Sequence, residues 1–134
     1  VPKTVEKIGE GAFSTLPILY TVIFEPGSAL TEIGDCAFAE CKYLTTINLP
    51  KQQIKVGDYA FANTEALKTL DMSYITEVGS FAFMNSALKN VSLDLQVGQK
   101  LAVVGMNGSG KTTLMNMMLW LLKIFLTPAE LFRE

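Results

Sequence analysis

The sequence contains no histidine, and this absence excludes several kinds of catalytic and metal site. Without histidine there is no Ser-His-Asp triad, no Cys-His pair and no zinc site with an imidazole ligand. Cysteine is also scarce, because Cys36 and Cys41 are the only two in 134 residues, so no disulfide framework is expected. The net charge of −2 provides no basic surface, and we expect no nucleic-acid partner.

Charged residues are few and apolar residues are many. Charged residues make up 18% of the chain and apolar residues 49%, which is the composition of a folded domain and not of a disordered one. The first residues show no basic, apolar leader, so we expect no signal peptide. The longest apolar run is shorter than the roughly 20 residues of a membrane helix. Membrane association is therefore expected only through transporter parts that this sequence does not contain.

A short phrase recurs four times in the first two thirds of the chain. Its glycines lie 25, 23 and 22 residues apart, and the copies read IGEGAF (8–13), IGDCAF (33–38), VGDYAF (56–61) and VGSFAF (78–83). Apolar residues follow each final phenylalanine at nearly fixed offsets, as Leu44, Ile47 and Leu49 follow Phe38. A period in the low twenties with an LxxIxL core predicts a solenoid of stacked coils.

Each part of the repeat predicts a local structure. The LxxIxL stretch predicts a short strand with alternate side chains pointing inward. The Ala-Phe pair predicts an apolar filling that stacked coils bury together. The recurring glycine indicates a tight turn or a close approach of two backbones. We interpret both cysteines as small buried residues.

The repeat resembles the BspA-type leucine-rich repeats, whose phrase runs IGxxAFxxCxxLxxIxLP. Residues 33–50 match it best, the resemblance covers about residues 5–93, and we assign 1–93 to this domain. The resemblance implies recognition of a protein partner, a location at the cell surface and no catalysis. Six polar residues of the strand-lined face are candidate contacts for that partner: Thr45, Thr46, Asn48, Lys68, Thr69 and Asp71.

The sequence GMNGSGKT (105–112) fits the phosphate-loop pattern G-x-x-x-x-G-K-[ST] in full. The apolar run LAVV (101–104) precedes it and a helical run follows it, and strand, loop and helix are the required setting. Lys111 would reach the terminal phosphates of ATP, and the Thr112 hydroxyl would bind Mg²⁺. The predicted nucleotide-binding residues are Gly105, Asn107, Gly108, Ser109, Gly110, Lys111, Thr112 and Thr113.

The segment LKNVSLDLQVGQKLAVVGMNGSGKTTL (88–114) is similar to the entry of an ATP-binding cassette of the ABC transporters, and the likeness extends to about residue 123. It implies an antiparallel hairpin before the loop, Mg-ATP as cofactor and a cytoplasmic location, which conflicts with the location implied by the repeats. The glutamine loop, the LSGGQ signature, the switch histidine and the acidic strand end are missing. We therefore expect weak binding of ATP or phosphate, and no hydrolysis unless these parts are supplied elsewhere.

The two patterns share residues. LKNVSL (88–93) fits both the fourth repeat and the first cassette strand, and VGQKLA (97–102) echoes VGDYAF. The run LMNMMLWLLKIFL (114–126) is apolar around a whole helix, which requires burial. It would cover the end of the solenoid, pair with a second copy, or lie on a membrane or aggregate. We expect 88–126 to form a C-terminal cap, followed by a tail at 127–134.

The sequence as a whole predicts a mixed β/α fold. About four leucine-rich-repeat coils would be followed by a β-hairpin, a phosphate loop and a C-terminal α-helix from an incomplete ABC-type NTPase. The expected function is a protein-binding repeat module fused to a nucleotide-binding segment. Two alternatives stay open: the N-terminal part of an ABC transporter ATPase, and an engineered or recombined chimera without evolved function.

Overall fold

The computed structural model describes residues 1–88, and this part of the chain is a stack of four coils joined by parallel strand pairs. The strand bounds are β1 (Lys7–Ile8), β2 (Thr21–Val22), β3 (Glu32–Ile33), β4 (Thr46–Ile47), β5 (Ile54–Val56) and β6 (Ile75–Val78). The strand order is β1-β3-β5-β6 in one sheet and β2-β4 in the other.

Each strand of the four-stranded sheet ends at the residue immediately before a recurring glycine. In β5 the outer residues Ile54 and Val56 are buried and the central Lys55 is exposed, which is the alternation of a half-buried strand. The register pairs Ile33 with Val56, and Val56 with Val78, so that equivalent apolar residues form a column along the stack. The sequence pattern did not predict these strands.

The strands predicted at LxxIxL are confirmed in the first two coils, where β2 and β4 pair with Val22 opposite Ile47. In the third coil the equivalent stretch, 67–72, is buried at Leu67 and Met72 but forms no strand. The fourth stretch, 88–93, lies outside the described residues except for Leu88. The LxxIxL pattern therefore identified the inward-facing positions correctly, but it predicted a strand in the third coil that the structure does not have.

A column of phenylalanines fills the interior. The ring centroids of Phe13, Phe38, Phe61 and Phe83 lie 5.3, 5.2 and 5.5 Å apart in succession, and the rings are nearly parallel. The last three are buried together with the alanines that precede them. The prediction that each Ala-Phe pair is buried is confirmed for the second, third and fourth coils. In the first coil Phe13 is half-buried and Ala12 is exposed.

The turn after each glycine adds a second set of bonds between coils, which we call the turn ladder. The N–H groups of Cys36, Phe38 and Glu40 donate to carbonyls of the next coil at 2.8–2.9 Å. Two residues per turn have left-handed backbone, such as Cys36 (φ 54°) and Glu40 (φ 63°). These residues direct alternate N–H groups along the stack, so the turn bonds to its neighbour instead of closing into a helix.

The recurring glycines lie where adjacent coils approach most closely. A Cβ atom on Gly34 would lie 2.9 Å from the carbonyl oxygen of Ile8, and one on Gly57 would lie 2.7 Å from the backbone nitrogen of Asp35. Both distances are too short for a carbon atom, so only glycine allows this spacing. The prediction of a close backbone approach is confirmed. Gly9, in the first coil, has open space instead.

The mixed β/α fold class predicted above is wrong for the described chain. Residues 1–88 contain strands and turns but no helix, and within this part no helix could therefore span a membrane. The physical reason is that the turns donate their hydrogen bonds to neighbouring coils. The hairpin, phosphate loop and helix on which the mixed class depended fall at 88–126, which lies outside the described residues except for Leu88.

Candidate functional site

The six polar residues predicted for the repeat face are all exposed. Four of them, Thr46, Asn48, Thr69 and Asp71, line one shallow depression with Ile47 and Leu70. Parallel pairing in β2–β4 and continuation into the third coil bring these side chains together, because residues at equal positions in adjacent coils become neighbours. The other two, Thr45 and Lys68, do not line the depression.

Two of the predicted face residues have structural partners of their own. The Thr45 hydroxyl donates to the carbonyl oxygen of Tyr20 at 3.0 Å, so it connects the first two coils. The Ser73 N–H donates to Oδ1 of Asp71 at 3.0 Å. Hydrogen bonds from Ser73 lower the pKa of Asp71 below its ordinary value, so this carboxylate is ionised at neutral pH. A binding partner would therefore meet a fixed negative charge at one edge of the depression.

Large exposed apolar residues lie beside the polar face, and the sequence pattern did not reveal them. We call this group the tyrosine-isoleucine patch, and it comprises Ile18, Tyr20, Ile23 and Tyr43. Ile18 is 78% exposed and Ile23 is 68% exposed, whereas the two tyrosine rings contact each other with centroids 6.1 Å apart. The signal in the sequence was a departure from the repeat: Ile23 occupies the position where the next coils carry Asn48 and Asp71.

The four-stranded sheet presents a second open depression, whose lining includes the charged residues Glu32, Lys55, Asp58 and Glu77. The Ser80 N–H donates to the Asp58 carboxylate, and the other three charges take part in ion pairs. Lys7 binds Glu32 at 2.7 Å, and Lys55 binds Glu77 at 2.8 Å. The hydrogen bond and the charge of Glu77 raise the pKa of Lys55. Exposed pairs of this kind contribute little to stability because solvent screens them. Because each charge already has a partner, this surface is a weaker candidate for binding than the repeat face.

The two cysteines are free thiols with structural surroundings. Cys41 is buried and its Sγ–H donates to the carbonyl oxygen of Phe13 at 2.9 Å. Burial raises the pKa of this thiol, so it stays protonated at neutral pH and is a poor nucleophile. The prediction that the cysteines are buried is confirmed for Cys41, whereas Cys36 is half-buried.

The predicted nucleotide-binding residues, Gly105 to Thr113, lie outside the described residues, and so does the predicted magnesium ligand Thr112. In the part that the structure describes, no three histidine, cysteine, aspartate or glutamate residues come close enough to hold a metal ion. The nucleotide site therefore stays a prediction from sequence, and within residues 1–88 the repeat face with its adjacent patch is the candidate binding surface.

Comparison with protein families explains the regular coils. A family model described as the BspA type leucine rich repeat region (6 copies) matches residues 1–100. The chain belongs to the BspA-type leucine-rich repeat family. The ABC transporter family model matches residues 88–124 of the same chain. Both resemblances proposed from the sequence are confirmed, and the two matched ranges overlap at 88–100.

Several curated relatives of this BspA-type chain are named as ATP-binding proteins. A protein of Streptococcus agalactiae named as an ABC transporter ATP-binding protein is 35% identical over 91 residues, which are 68% of this chain and 14% of the relative. The teichoic acids export ATP-binding protein of Enterococcus faecalis is 41% identical over 68 residues, 49% of this chain and 14% of the relative. An uncharacterized ABC transporter ATP-binding protein of Mycobacterium tuberculosis is 66% identical over 29 residues, 22% of this chain and 4% of the relative.

The share of each relative that is matched limits what these names imply. The BspA-type chain spans 14% of the length of the streptococcal and enterococcal relatives. No solved structure matches the chain. What the comparisons establish is therefore a repeat region of BspA type and a segment of ABC-transporter type in one polypeptide.

Proposed function

We propose that this chain is a protein-binding repeat module whose contact surface joins the repeat face to the tyrosine-isoleucine patch. The observation that carries the proposal is the exposure of two isoleucines of the first coil, Ile18 at 78% and Ile23 at 68%. Ile23 is in register with Asn48, which lines the polar depression. Large apolar and aromatic residues surrounded by polar ones are characteristic of protein interfaces. Because most of each side chain is exposed, these isoleucines contribute little apolar burial to the stack.

Strand register makes the two parts one continuous surface. Thr21 pairs with Thr46 and Val22 pairs with Ile47, so Ile23 follows in register with Asn48. The apolar patch on the first two coils therefore passes directly into the polar depression on the second and third coils. A partner that fits this surface would place an apolar side chain on the patch and a hydrogen-bond donor near Asp71.

Selection of binders from a displayed peptide library tests this surface with peptides of many sequences as probes. We expect most peptides selected on the full chain to lose at least about tenfold in affinity on the variant Asn48→Arg, because a long charged side chain would block the depression. Glu10→Arg is the matched control, since Glu10 is exposed and follows β1 in the other sheet. Equal losses on the two variants would contradict the proposal.

A second function, nucleotide binding at Gly105 to Thr113, is supported by a different observation. The ABC transporter model covers the whole phosphate loop, and the motif carries the glycines, the lysine and the threonine that the chemistry requires. We propose weak binding of Mg-ATP, in which backbone amides and Lys111 hold the phosphates and Thr112 binds the metal. This proposal also covers the alternative that the segment belongs to an ABC transporter ATPase.

Calorimetric titration of the full chain with Mg-ATP tests nucleotide binding directly. We expect saturation in the millimolar range, about −4 kcal/mol, and loss of the signal in Lys111→Ala. Lys123→Ala is the matched control, because it removes a lysine of the same segment that lies outside the motif. Heat that persists in Lys111→Ala would show that the loop does not bind the nucleotide.

A further inference from the structure

The fourth coil has an end whose hydrogen-bond donors find no acceptor among residues 1–88. At the preceding interface, three N–H groups of the third coil donate to carbonyls of the fourth at 2.7–2.9 Å: those of Tyr59, Phe61 and Asn63. The equivalent N–H groups of the fourth coil have no acceptor within residues 1–88: those of Phe81, Phe83 and Asn85. We call the side of the coil that carries these three groups the open end. An edge of this kind is suited to one more coil in the same register.

Burial differs between the two ends of the phenylalanine column. Phe83 is 2% exposed, whereas Phe13, at the start of the stack, is only half-buried. The coil that precedes Phe83 stacks on one face of its ring, with the centroid of Phe61 at 5.5 Å. Burial to 2% requires cover on the other face as well. Within residues 1–88 no coil follows the fourth, so that cover has to come from later in the chain.

The sequence beyond residue 93 repeats the pattern of a strand in the four-stranded sheet. Leu95, Gln96, Val97 and Gly98 reproduce the order apolar, polar, valine, glycine of Ile54–Gly57. In the described coil that order gives strand β5, in which the two apolar residues are buried and Lys55 is exposed. The match to the BspA-type family model also extends to residue 100, beyond the fourth coil.

We propose that residues 95–103 dock on the open end as an incomplete fifth coil. The register follows from the existing pairs, since Lys55 lies opposite Glu77 and Val56 lies opposite Val78. Gln96 then lies opposite Glu77, and Val97 lies opposite Val78. The three open N–H groups find acceptors in the carbonyls of Gln99, Leu101 and Val103, by the offsets of the turn ladder.

The same geometry explains why the coil is incomplete. The sixth residue after each recurring glycine has left-handed backbone, as at Asn63 (φ 58°) and Asn85 (φ 53°). The equivalent residue after Gly98 is Val104, and its β-branched side chain makes that conformation costly, as it does for Thr15 in the first coil. A fifth coil that ends at Val103, immediately before the glycines of the phosphate loop, avoids this cost. Residues 101–103 serve either this coil or the cassette strand, but not both at once.

Disulfide trapping in the full chain tests the register. In paired parallel strands, residues directly opposite lie about 4.8 Å apart, within the range that a disulfide spans. We expect the double variant Glu77→Cys/Gln96→Cys to form an intramolecular disulfide on mild oxidation, identified by peptide mapping. The off-register control Glu77→Cys/Gln99→Cys forms none, because three residues along a strand separate the thiols by about 10 Å. Equal yields in both variants would overturn the proposal, and so would a disulfide between two chains, which would assign the open end to a second copy.

A pair of charge variants provides a second measurement that needs no new cysteine. Exposed charges in the four-stranded sheet alternate along the stack from Lys7 to Glu32, and from Lys55 to Glu77. Gln96→Lys would continue this alternation, whereas Gln96→Glu would place two carboxylates opposite each other. We expect Gln96→Lys to melt about 2–8 °C above Gln96→Glu at low salt, with the difference reduced at high salt. Equal melting temperatures at low salt would overturn the docking.

Discussion

Left-handed backbone at ordinary residues is the most demanding local feature of the coils. Two positions in each turn have this left-handed conformation. Within residues 1–88, seven of the residues at these positions are not glycine. For an L-residue this conformation costs about 1–2 kcal/mol, and least for asparagine, which hydrogen-bonds locally. Asn63 and Asn85 satisfy this preference, and their side chains also bond to each other at 2.8 Å. Thr15 occupies the equivalent position in the first coil with a β-branched side chain.

Replacing Thr15 by asparagine should therefore stabilise the chain. We expect Thr15→Asn to raise the free energy of unfolding by about 0.5–1 kcal/mol, because it relieves β-branched strain at φ 58°. The same substitution at Thr21, in strand β2, should lower it by a few tenths of a kcal/mol to about 1 kcal/mol, since asparagine is disfavoured in strands. Denaturant unfolding monitored by circular dichroism compares them. Changes of the same sign at both sites would refute the account.

The recurring glycines allow a second comparison between matched residues. We expect Gly57→Ala to destabilise the chain by about 1–3 kcal/mol, because its Cβ atom would lie 2.7 Å from the backbone nitrogen of Asp35. Gly9→Ala is the control, since a Cβ atom there meets nothing within 4 Å. It should change stability by less than about 0.5 kcal/mol. Thermal melts of the two variants suffice, and a similar loss in both would exclude the proposed role of inter-coil contact.

At the scale of one element, the phenylalanine column determines how strongly each coil is held. Phe61 has an aromatic neighbour on both sides, at 5.2 and 5.5 Å, whereas among the described residues Phe13 has one, at 5.3 Å. Removing a ring from the middle of the column leaves a cavity that both neighbours line. Removing the ring at the first coil opens a site that is already partly exposed.

We therefore expect the two truncations to differ in cost. Phe61→Ala should lower the free energy of unfolding by about 3–5 kcal/mol, as for a buried aromatic residue, and Phe13→Ala by less than about 2 kcal/mol. Chemical denaturation measures both, and Phe61→Leu is the intermediate control because it keeps most of the apolar volume. Equal losses for Phe61→Ala and Phe13→Ala would mean that the ends of the stack are packed as tightly as its centre.

The columns of the repeat were predictable, and much of the surface was not. The recurring Gly and Ala-Phe positions identified the inward column, since stacked repeats bury the same side chain in every coil. The strands before the glycines escaped detection because two to four residues are too short to show an alternating pattern. The tyrosine-isoleucine patch was missed for the opposite reason: Ile18 and Ile23 are exceptions to the repeat, and a search for regularity passes over exceptions.

For the whole molecule, the buried thiol of Cys41 reports on the integrity of the stack. Its pKa is raised by burial and its sulfur lies between two coils, so it should react with a thiol reagent only when the coils separate. We expect Cys36 to be labelled first and Cys41 to follow at the rate of global unfolding.

Mass spectrometry after pulsed labelling distinguishes the two thiols. In the destabilised variant Phe61→Ala the rate at Cys41 should increase, and in Gly9→Ala it should not. Labelling of Cys41 as fast as Cys36 in the unmodified chain would show that the second coil opens locally, without separation of the whole stack.

The helix expected at 114–126 could not be placed from its sequence alone. Its apolar pattern requires burial, but a pattern carries no information about which surface supplies the cover. The same applies to residues 88–100, which fit two family models at once. The local sequence of residues 88–100 is compatible with a repeat coil and with the first strands of a cassette. Which of the two forms depends on the relative stability of the two complete folds.

The opposed directions of the hydrogen bonds between coils have an electrostatic consequence. In the turn ladder each N–H points toward the following coil, whereas the Gly34, Gly57 and Gly79 N–H groups point back toward the preceding one. Peptide dipoles along the stack axis therefore largely cancel, unlike those of an α-helix, whose aligned dipoles attract anions at one end. Within residues 1–88 the stack therefore lacks the aligned dipoles that make a helix terminus an anion site, which is consistent with assigning the proposed nucleotide affinity to the glycine-rich loop.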